Sequence, residues 1–266
     1  MPAISPAKLK LQTARLAEQY TQPGVFVRTM HTLLKSYADH THRPGRSGTP
    51  SALIESYNVP QPVMRYLWVA IKPVVEKDPQ RILELCDILW TEPYLEHRLL
   101  ACMLLGQVPV LQPEPVALRL ERWTQTVPES RLVGVVIEHG MARLRSEAPN
   151  TLLILIEAWL QSSNIYVQQL GLRALIPQVE DPGFQNLPAV FHLLTPFLRS
   201  IPPPLRPDLV DLLEKLVLRS PSETAYTLRT ALGSADNPDT AWLTRQVFPM
   251  FSVELKDGLR QAIKKG

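Results

Sequence analysis

Apolar positions in this sequence recur with the spacing of amphipathic α-helices. Two stretches, residues 99–104 and 209–216, place leucine or methionine at intervals of three and four, which is one face of a helix. A short polar or proline-rich segment precedes each stretch, and another apolar helix pattern precedes that segment. The pattern therefore predicts helix–turn–helix units. The stripe residues are Leu99, Leu100, Met103 and Leu104, and Leu209, Leu212, Leu213 and Leu216.

Related segments recur along the chain with a period of roughly 35 residues, as in solenoid proteins. Trp, Thr, Glu, Arg and Leu of residues 87–101 return in residues 120–134, and weaker copies lie at 157–171 and 196–210. A fifth copy follows near residue 232. Each copy marks the end of a first helix with an apolar residue, and a second helix follows. The five markers are Trp90, Trp123, Leu160, Leu198 and Leu232.

The predicted fold class is all-α, an α-solenoid of five to six antiparallel helix pairs over about residues 4–38 and 50–262. One pair cannot bury its own apolar face, so neighbouring pairs must stack. We expect a single domain, residues 1–266, with N-terminal helices and a basic loop in 1–49 and stacked pairs in 50–266. The abundance of proline fits this fold, because 13 of the 26 prolines lie at or near predicted helix edges, where proline is tolerated.

Composition excludes several other classes. With 11 Gly and 7% aromatic residues, the chain lacks the turns and side chains typical of an all-β protein. Its apolar stretches are much shorter than the roughly 20 residues of a membrane span, and no secretory signal is recognised. The two cysteines, Cys86 and Cys102, lie inside apolar patterns, which argues against disulfides or zinc. We expect a cytoplasmic protein with no cofactor.

The net charge of +3 conceals an N-terminal surplus. Residues 1–50 contain seven Lys or Arg and two Asp or Glu, a balance of +5, so the remainder carries −2. The densest basic part is the loop with Arg43 and Arg46, which is predicted to contact phosphates; a plain connector is the alternative. His40 and His42 of this loop have no nearby carboxylate or cysteine, so no metal site is predicted.

Two segments carry a resemblance to a known family. Residues 57–65, Tyr-Asn-Val-Pro-Gln-Pro-Val-Met-Arg, look like the YGVxxPxLR opening of the DNA alkylation repair family, the HEAT-like-repeat DNA glycosylases. Residues 89–101 look like that family's LW-x-S-x-x-x-E-x-R-x-x-A helix pair. The resemblance implies HEAT-like repeats that hold duplex DNA through its backbone. It also implies removal of alkylated purines, with an Asp at the sugar cation, Trp rings at the lesion and Arg at the phosphates.

The chain departs from this family at the positions that carry the chemistry. Where the family has Trp-Asp-x-x-Asp, residues 130–134 read Ser-Arg-Leu-Val-Gly. Where the family has Trp-x-Arg-Arg, residues 166–169 read Tyr-Val-Gln-Gln, and an amide lacks the charge of an Arg–phosphate fork. We therefore predict no catalytic residue. The alternative is an active enzyme that uses a different acid, such as Glu129.

The predicted DNA contacts lie near the starts of second helices. Arg98 and Arg131 occupy equivalent repeat positions, and Arg206 falls in register, so the three are predicted to form a ladder along the phosphates. The alternative is that each arginine bridges to a carboxylate such as Glu96 or Glu138. The predicted DNA-binding residues are Arg98, Arg131, Tyr166, Arg206, Arg43 and Arg46.

Tryptophan and histidine residues of the helices are interpreted mainly as structural. Most tryptophans that recur with the repeat are predicted to pack between repeats, although Trp159, near Tyr166, is alternatively a groove residue. His97 and His139 are predicted to be surface or hydrogen-bonded helix residues. The recurring tryptophans are Trp90, Trp123, Trp159 and Trp242.

Three functional hypotheses follow. The first is a monomeric, non-catalytic relative of the DNA alkylation repair family that binds duplex DNA. The second is an active alkylpurine DNA glycosylase of base excision repair. The third is a scaffold that binds a protein partner in its groove without any nucleic-acid role, and the small net charge favours this third hypothesis.

Overall fold

The computed structural model describes residues 5–39, 54–111, 113–125 and 130–265. Within these ranges all regular structure is helical, apart from an isolated bridge between Glu55 and Tyr94, so the predicted all-α class is confirmed. None of the helices in the described ranges is both long and apolar enough to cross a membrane.

Internal contacts divide the chain into two compact units, Met1–Ala148 and Pro149–Gly266. The helices of the first unit are α1 (Pro6–Ala17), α2 (Pro23–Tyr37), α3 (Gln61–Val75), α4 (Pro79–Thr91), α5 (Leu95–Leu105), α6 (Glu114–Gln125), α7 (Ser130–Val135), a π-helical segment (Val136–Gly140) and α8 (Ala142–Glu147). Those of the second unit are α9 (Pro149–Leu160), α10 (Ile165–Glu180), α11 (Leu187–Arg199), α12 (Arg206–Arg219), α13 (Pro221–Leu232), α14 (Thr240–Val247) and α15 (Val253–Lys265), with short 3₁₀ turns at Pro203–Leu205 and Phe248–Met250.

Within each unit, alternate helices pack beside one another. In the first unit α1 packs on α3, α3 on α5, and α5 on the π-helical segment, while α2 packs on α4. In the second unit α10, α12 and α14 follow one another, as do α11, α13 and α15. This arrangement is consistent with an α-solenoid, since each helix covers the apolar face of the next helix of its own kind.

The five predicted helix-end markers all lie in the last turn of a helix and are all buried. Trp90 of α4 and Trp123 of α6 stack with ring centroids 4.4 Å apart and planes 8° from parallel. Trp159 is also buried, so its interpretation as a groove residue is wrong, whereas Trp242 is 37% exposed. The period of the sequence therefore reflects side chains that meet between successive helix pairs.

Prolines occupy the ends of helices in two different ways. Nine α-helices have proline at one of their first two positions, where its missing N–H would be unpaired anyway: α1, α2, α3, α4, α6, α9, α11, α12 and α13. Pro73, Pro177 and Pro196 instead lie in the last turn of their helices. The predicted association of proline with helix edges is thus confirmed for these twelve residues.

Aspartates connect helices that are one repeat apart. Asp87 of α4 accepts hydrogen bonds from Arg119, at 2.7 Å from one guanidinium nitrogen, and from Arg122, both on α6. Asp208 of α12 is 6% exposed, and the Nε of Arg173 on α10 donates to it at 2.6 Å. These pairs fix the register between neighbouring helices because a half-buried charge needs its partner.

The packing of α5 against the π-helical segment is close enough to require glycine. Gly106 follows the last residue of α5, and a Cβ at this position would lie 1.7 Å from the carbonyl oxygen of His139. The backbone N–H of Arg143 donates to the carbonyl oxygen of Gly106 at 3.0 Å, so the backbones cannot separate freely.

We predict opposite effects of alanine at two glycines of the first unit. Gly106→Ala should lower the free energy of unfolding by about 2 kcal/mol or more, since the methyl group clashes with backbone. Gly134→Ala should raise it by about 0.5–1 kcal/mol, because Gly134 lies in α7 and a Cβ there meets no atom within 4 Å. Urea unfolding followed by circular dichroism measures both, and equal effects would contradict the geometry.

Candidate nucleic-acid interface

The two segments that resemble the family's motifs are in contact. Glu96, buried in the first turn of α5, accepts a hydrogen bond from the hydroxyl of Ser56 at 2.8 Å and one from the backbone N–H of Tyr57 at 3.2 Å. The N–H of Leu95 donates to the carbonyl oxygen of Glu55 at 2.8 Å. The loop before α3 is therefore fastened to the start of α5, where a carboxylate is also favoured by the helix dipole.

Asn58 explains one position of the first motif. Its φ angle is 51°, in the left-handed region that favours glycine, and the family pattern has glycine at this place. Asparagine is one of the few other residues that adopt this conformation readily. The N–H of Asn58 also donates to the hydroxyl oxygen of Ser56 at 3.1 Å. The motif therefore specifies a turn that presents the loop to Glu96.

Arg98 is engaged within the turn between α4 and α5. Its Nε donates to the carbonyl oxygen of Glu92 at 2.9 Å, and its guanidinium lies 5.5 Å from the ring centroid of Trp90. Both contacts close the C-terminal end of α4, where backbone carbonyls lack helical partners. Arg98 thus has a clear structural role, and its contact with phosphate stays a prediction.

Arg206, the first residue of α12, is paired within the second unit. Its guanidinium donates to Asp239 at 2.7 Å and lies 5.2 Å from the ring centroid of Trp242. The other carboxylate oxygen of Asp239 accepts from the backbone N–H of Ile201 at 2.9 Å. The alternative raised by the sequence, a bridge to a carboxylate, therefore holds for Arg206, although the partner is an aspartate 33 residues away.

The start of α10 carries the residues at the family's second functional position. About half of the surface of Tyr166 (49%) is exposed to solvent. Gln168 donates to the carbonyl oxygen of Ser162 at 2.9 Å, and Gln169 donates to the buried Asp208 at 2.7 Å. Both amides are therefore used in bonds within the second unit.

Several predicted residues lie outside the described part of the chain. They are Arg43, Arg46, His40, His42, Glu129 and the side chain of Arg131. The backbone of residues 130–134 forms most of α7, and Gly134 there is exposed. Gly134, one of the family's two acidic positions, thus lies on an open helix surface and provides no side chain there.

The first three helices carry a concentration of charge that reasoning about repeat positions did not detect. They contain seven exposed Lys and Arg residues and no Asp or Glu. None of the seven forms a salt bridge with a residue in the described ranges. The N-terminal surplus of charge in the sequence was the signal for this surface. The seven are Lys8, Lys10 and Arg15 of α1, Arg28 and Lys35 of α2, and Arg65 and Lys72 of α3.

A cluster of aromatic rings packs against the loop before α3, residues 54–60, which is called the motif loop below. The rings of Tyr57 and Tyr94 stack with centroids 4.2 Å apart, and the hydroxyl of Tyr57 lies 2.5 Å from Nδ1 of His31. His97 is completely buried, 5.9 Å from both tyrosine rings, and its nitrogens have no hydrogen-bond partner in the described structure. The prediction of a surface position for His97 is therefore wrong.

Burial of His97 has an electrostatic consequence. Desolvation, and secondly the proximity of His31, lower the pKa of His97 from 6.5 to about 4, and the nearby backbone of Val27 opposes this only in part. The ring is therefore neutral at physiological pH and serves as part of the core.

These features define an all-helical protein of paired helices, with a motif loop locked to the start of α5 in its first unit. The sequence profile of a family described as DNA alkylation repair enzyme matches residues 30–200. The chain belongs to the DNA alkylation repair family. Searches of the curated proteins and of the solved structures found no match.

Two substitutions at Asn58 test the motif turn. Asn58→Gly should leave the free energy of unfolding within about 0.5 kcal/mol of the wild-type value, because glycine adopts the same φ without strain. Asn58→Ala should lower it by about 1 kcal/mol relative to Asn58→Gly. Both variants lack the same side-chain hydrogen bonds, so their difference in chemical denaturation isolates the backbone. Equal stabilities would contradict the assigned conformation.

The pKa of His97 predicts a pH dependence. Between pH 6.5 and about 4 the unfolded chain binds a proton at His97 that the folded chain excludes, so stability falls as the pH falls through this window. The loss approaches about 3 kcal/mol and does not increase below the folded pKa. His97→Leu should remove this component. Unfolding measured across the window for both proteins tests it, and parallel pH profiles would contradict the prediction.

Proposed function

We propose that this protein is a non-catalytic DNA-binding member of its family, a monomer built from HEAT-like helix pairs and independent of any cofactor. The observation that supports DNA binding best is the set of seven exposed cations on α1, α2 and α3, with no acidic residue in these helices. Family membership supplies the second reason, since relatives of this kind act on DNA by the family's description.

The cations of the first three helices differ from three cations of the second unit. Arg173, Arg206 and Lys215 form salt bridges there, so much of their charge is neutralised by the protein itself. An exposed cation without such a partner can replace the counterions that condense on duplex DNA, and their release favours binding. The helices α1 and α3 pack side by side, so both contribute their positive charges to the same part of the first unit.

The DNA-binding residues predicted from the sequence contribute unequally to this proposal. Arg43 and Arg46 follow α2 in the sequence and extend its positive charge, while Arg131 and the exposed Tyr166 are proposed as further contacts. Arg98 has internal contacts that compete with phosphate, and it contributes less in this proposal. The binding would be directed at the DNA backbone and depend little on base sequence.

We propose that the protein does not cleave glycosidic bonds. Release of an alkylated purine leaves positive charge on the sugar, and a positioned carboxylate stabilises that charge best. The family's acidic positions are Arg131 and Gly134 in this chain, and the amides of Gln168 and Gln169 supply no positive charge to a phosphate.

A titration of labelled duplex DNA, followed by fluorescence anisotropy at several salt concentrations, tests the binding. The affinity of the wild-type protein should fall steeply with salt. Replacing Lys8, Lys10 and Arg15 of α1 together by glutamine should weaken binding at least about tenfold at low salt. The slope of log affinity against log salt should become shallower by up to about 0.9 for each phosphate that the variant no longer neutralises. Affinity that is independent of salt would rule out the proposed phosphate contacts.

A matched control removes three exposed cations from the second unit, Arg229, Arg245 and Lys264, again by glutamine. Equal losses of affinity in both triple variants would show a general charge effect and contradict an interface on α1.

Catalysis is tested separately with duplex DNA that contains N7-methylguanine and N3-methyladenine. We expect no release of free base above a buffer blank, because no carboxylate stands at the family's acidic positions. Release by the wild-type protein that disappears in Glu129→Gln would establish the active glycosylase instead.

A further inference from the structure

Helix α5 is mostly apolar along its whole length. Its eleven residues include only three polar ones, and each is accounted for: Glu96 holds the motif loop, His97 is buried, and Arg98 closes α4. A helix that is apolar on all sides is normally covered on all sides. Leu99 and Met103 are nevertheless only partly buried by the described residues.

These two side chains line a groove of about 800 Å³, bounded by α3, α5 and the π-helical segment. The α3 wall contributes Met64, Trp68 and Val69, and Val69 is 63% exposed. The volume lies in the range of natural binding sites, and apolar side chains dominate the lining. Two methionines add adaptable surface of the kind found where proteins receive peptides.

The lining residues of the groove include the cation Arg65 and no Asp or Glu. On the side of the π-helical segment, the carboxylate of Glu138 lies 3.9 Å from Nε2 of the lining residue His139. Lys72, two turns from Arg65 on the same side of α3, lies 5.9 Å from the ring centroid of Trp68. A ligand that fits the groove therefore combines an apolar face with negative charge at its margins.

We propose that this groove binds an acidic amphipathic helix of a partner protein. Apolar side chains at i, i+4 and i+7 of that helix would pack on Leu99, Met103 and Val69, and its acidic residues would pair with Arg65 and Lys72. A duplex DNA backbone fits the groove poorly, because phosphates placed against an apolar floor lose water without gaining donors. The proposal is independent of DNA binding by α1.

Synthetic peptides of about five helical turns provide the probe. One carries leucine at i, i+4 and i+7 with glutamate on the remaining surface. A second replaces each glutamate by lysine, and a third scrambles the first so that the apolar face is removed. The full-length protein, labelled with ¹³C at its methionine methyl groups, reports the site, with Met64→Leu and Met103→Leu used to assign the signals.

The acidic amphipathic peptide should bind at least about tenfold more tightly than either comparison peptide, and more weakly as salt increases. Its binding should shift the methyl signals of Met64 and Met103 and leave that of Met250, in the second unit, unchanged. Val69→Glu should weaken binding at least about tenfold, because it places a like charge on the groove wall. Val253→Glu makes the same change at a residue that is 70% exposed in the second unit and should have no effect.

The outcomes separate the possible occupants. Equal affinity for the three peptides, or equal effects of Val69→Glu and Val253→Glu, would overturn the proposal. If duplex DNA shifts the signals of Met64 and Met103 and the acidic peptide does not, the groove is part of a nucleic-acid interface and the proposal is wrong. Loss of DNA binding in the triple variant of α1 has no bearing on the methyl signals, so the two proposals fail independently.

Discussion

The structure depends on one constraint: no helix pair can bury its own apolar face, so each pair must be covered by the next. The stacked rings of Trp90 and Trp123 show this covering directly, since one belongs to α4 and the other to α6. Once helices are packed in this way, their register is held by polar contacts such as those of Asp87 and Asp208. These polar side chains are used in hydrogen bonds between helices. Binding must therefore rely on side chains that make no such bonds.

The distinction between side chains that hold the helices together and side chains available for binding also explains the family motifs. Glu96 and Asn58 hold the loop before α3, and Arg98 closes the end of α4. Residues that mark the family in the sequence are therefore, in this chain, largely residues that maintain the fold. Two surfaces that these contacts do not use are the cations of α1–α3 and the apolar groove beside α5.

Helix ends could be predicted from the sequence because they depend on local features, an apolar marker and a nearby proline, which act within one turn. The partner of Arg206 could not, since Asp239 belongs to the next helix pair and its approach depends on packing. The burial of His97 was missed for the same reason: it arises from Tyr57, which lies far back in the chain. The apolar character of α5 was visible, but which of its sides stays uncovered depends on where α3 lies.

The changes at the family's functional positions extend beyond single residues. Gln169 donates to Asp208, whose carboxylate is already bound by Arg173. An arginine at position 169 would bring a second cation to that carboxylate and would pair with it there, as Arg119 and Arg122 both pair with Asp87. The amide is thus matched to its surroundings, and restoring arginine alone would not restore a phosphate contact. At Gly134, by contrast, the surface is open, so the absence of a carboxylate there places no demand on the fold. The lack of a carboxylate at Gly134 is therefore compatible with an intact helical scaffold, because residues such as Glu96 and Asp208 hold that scaffold together.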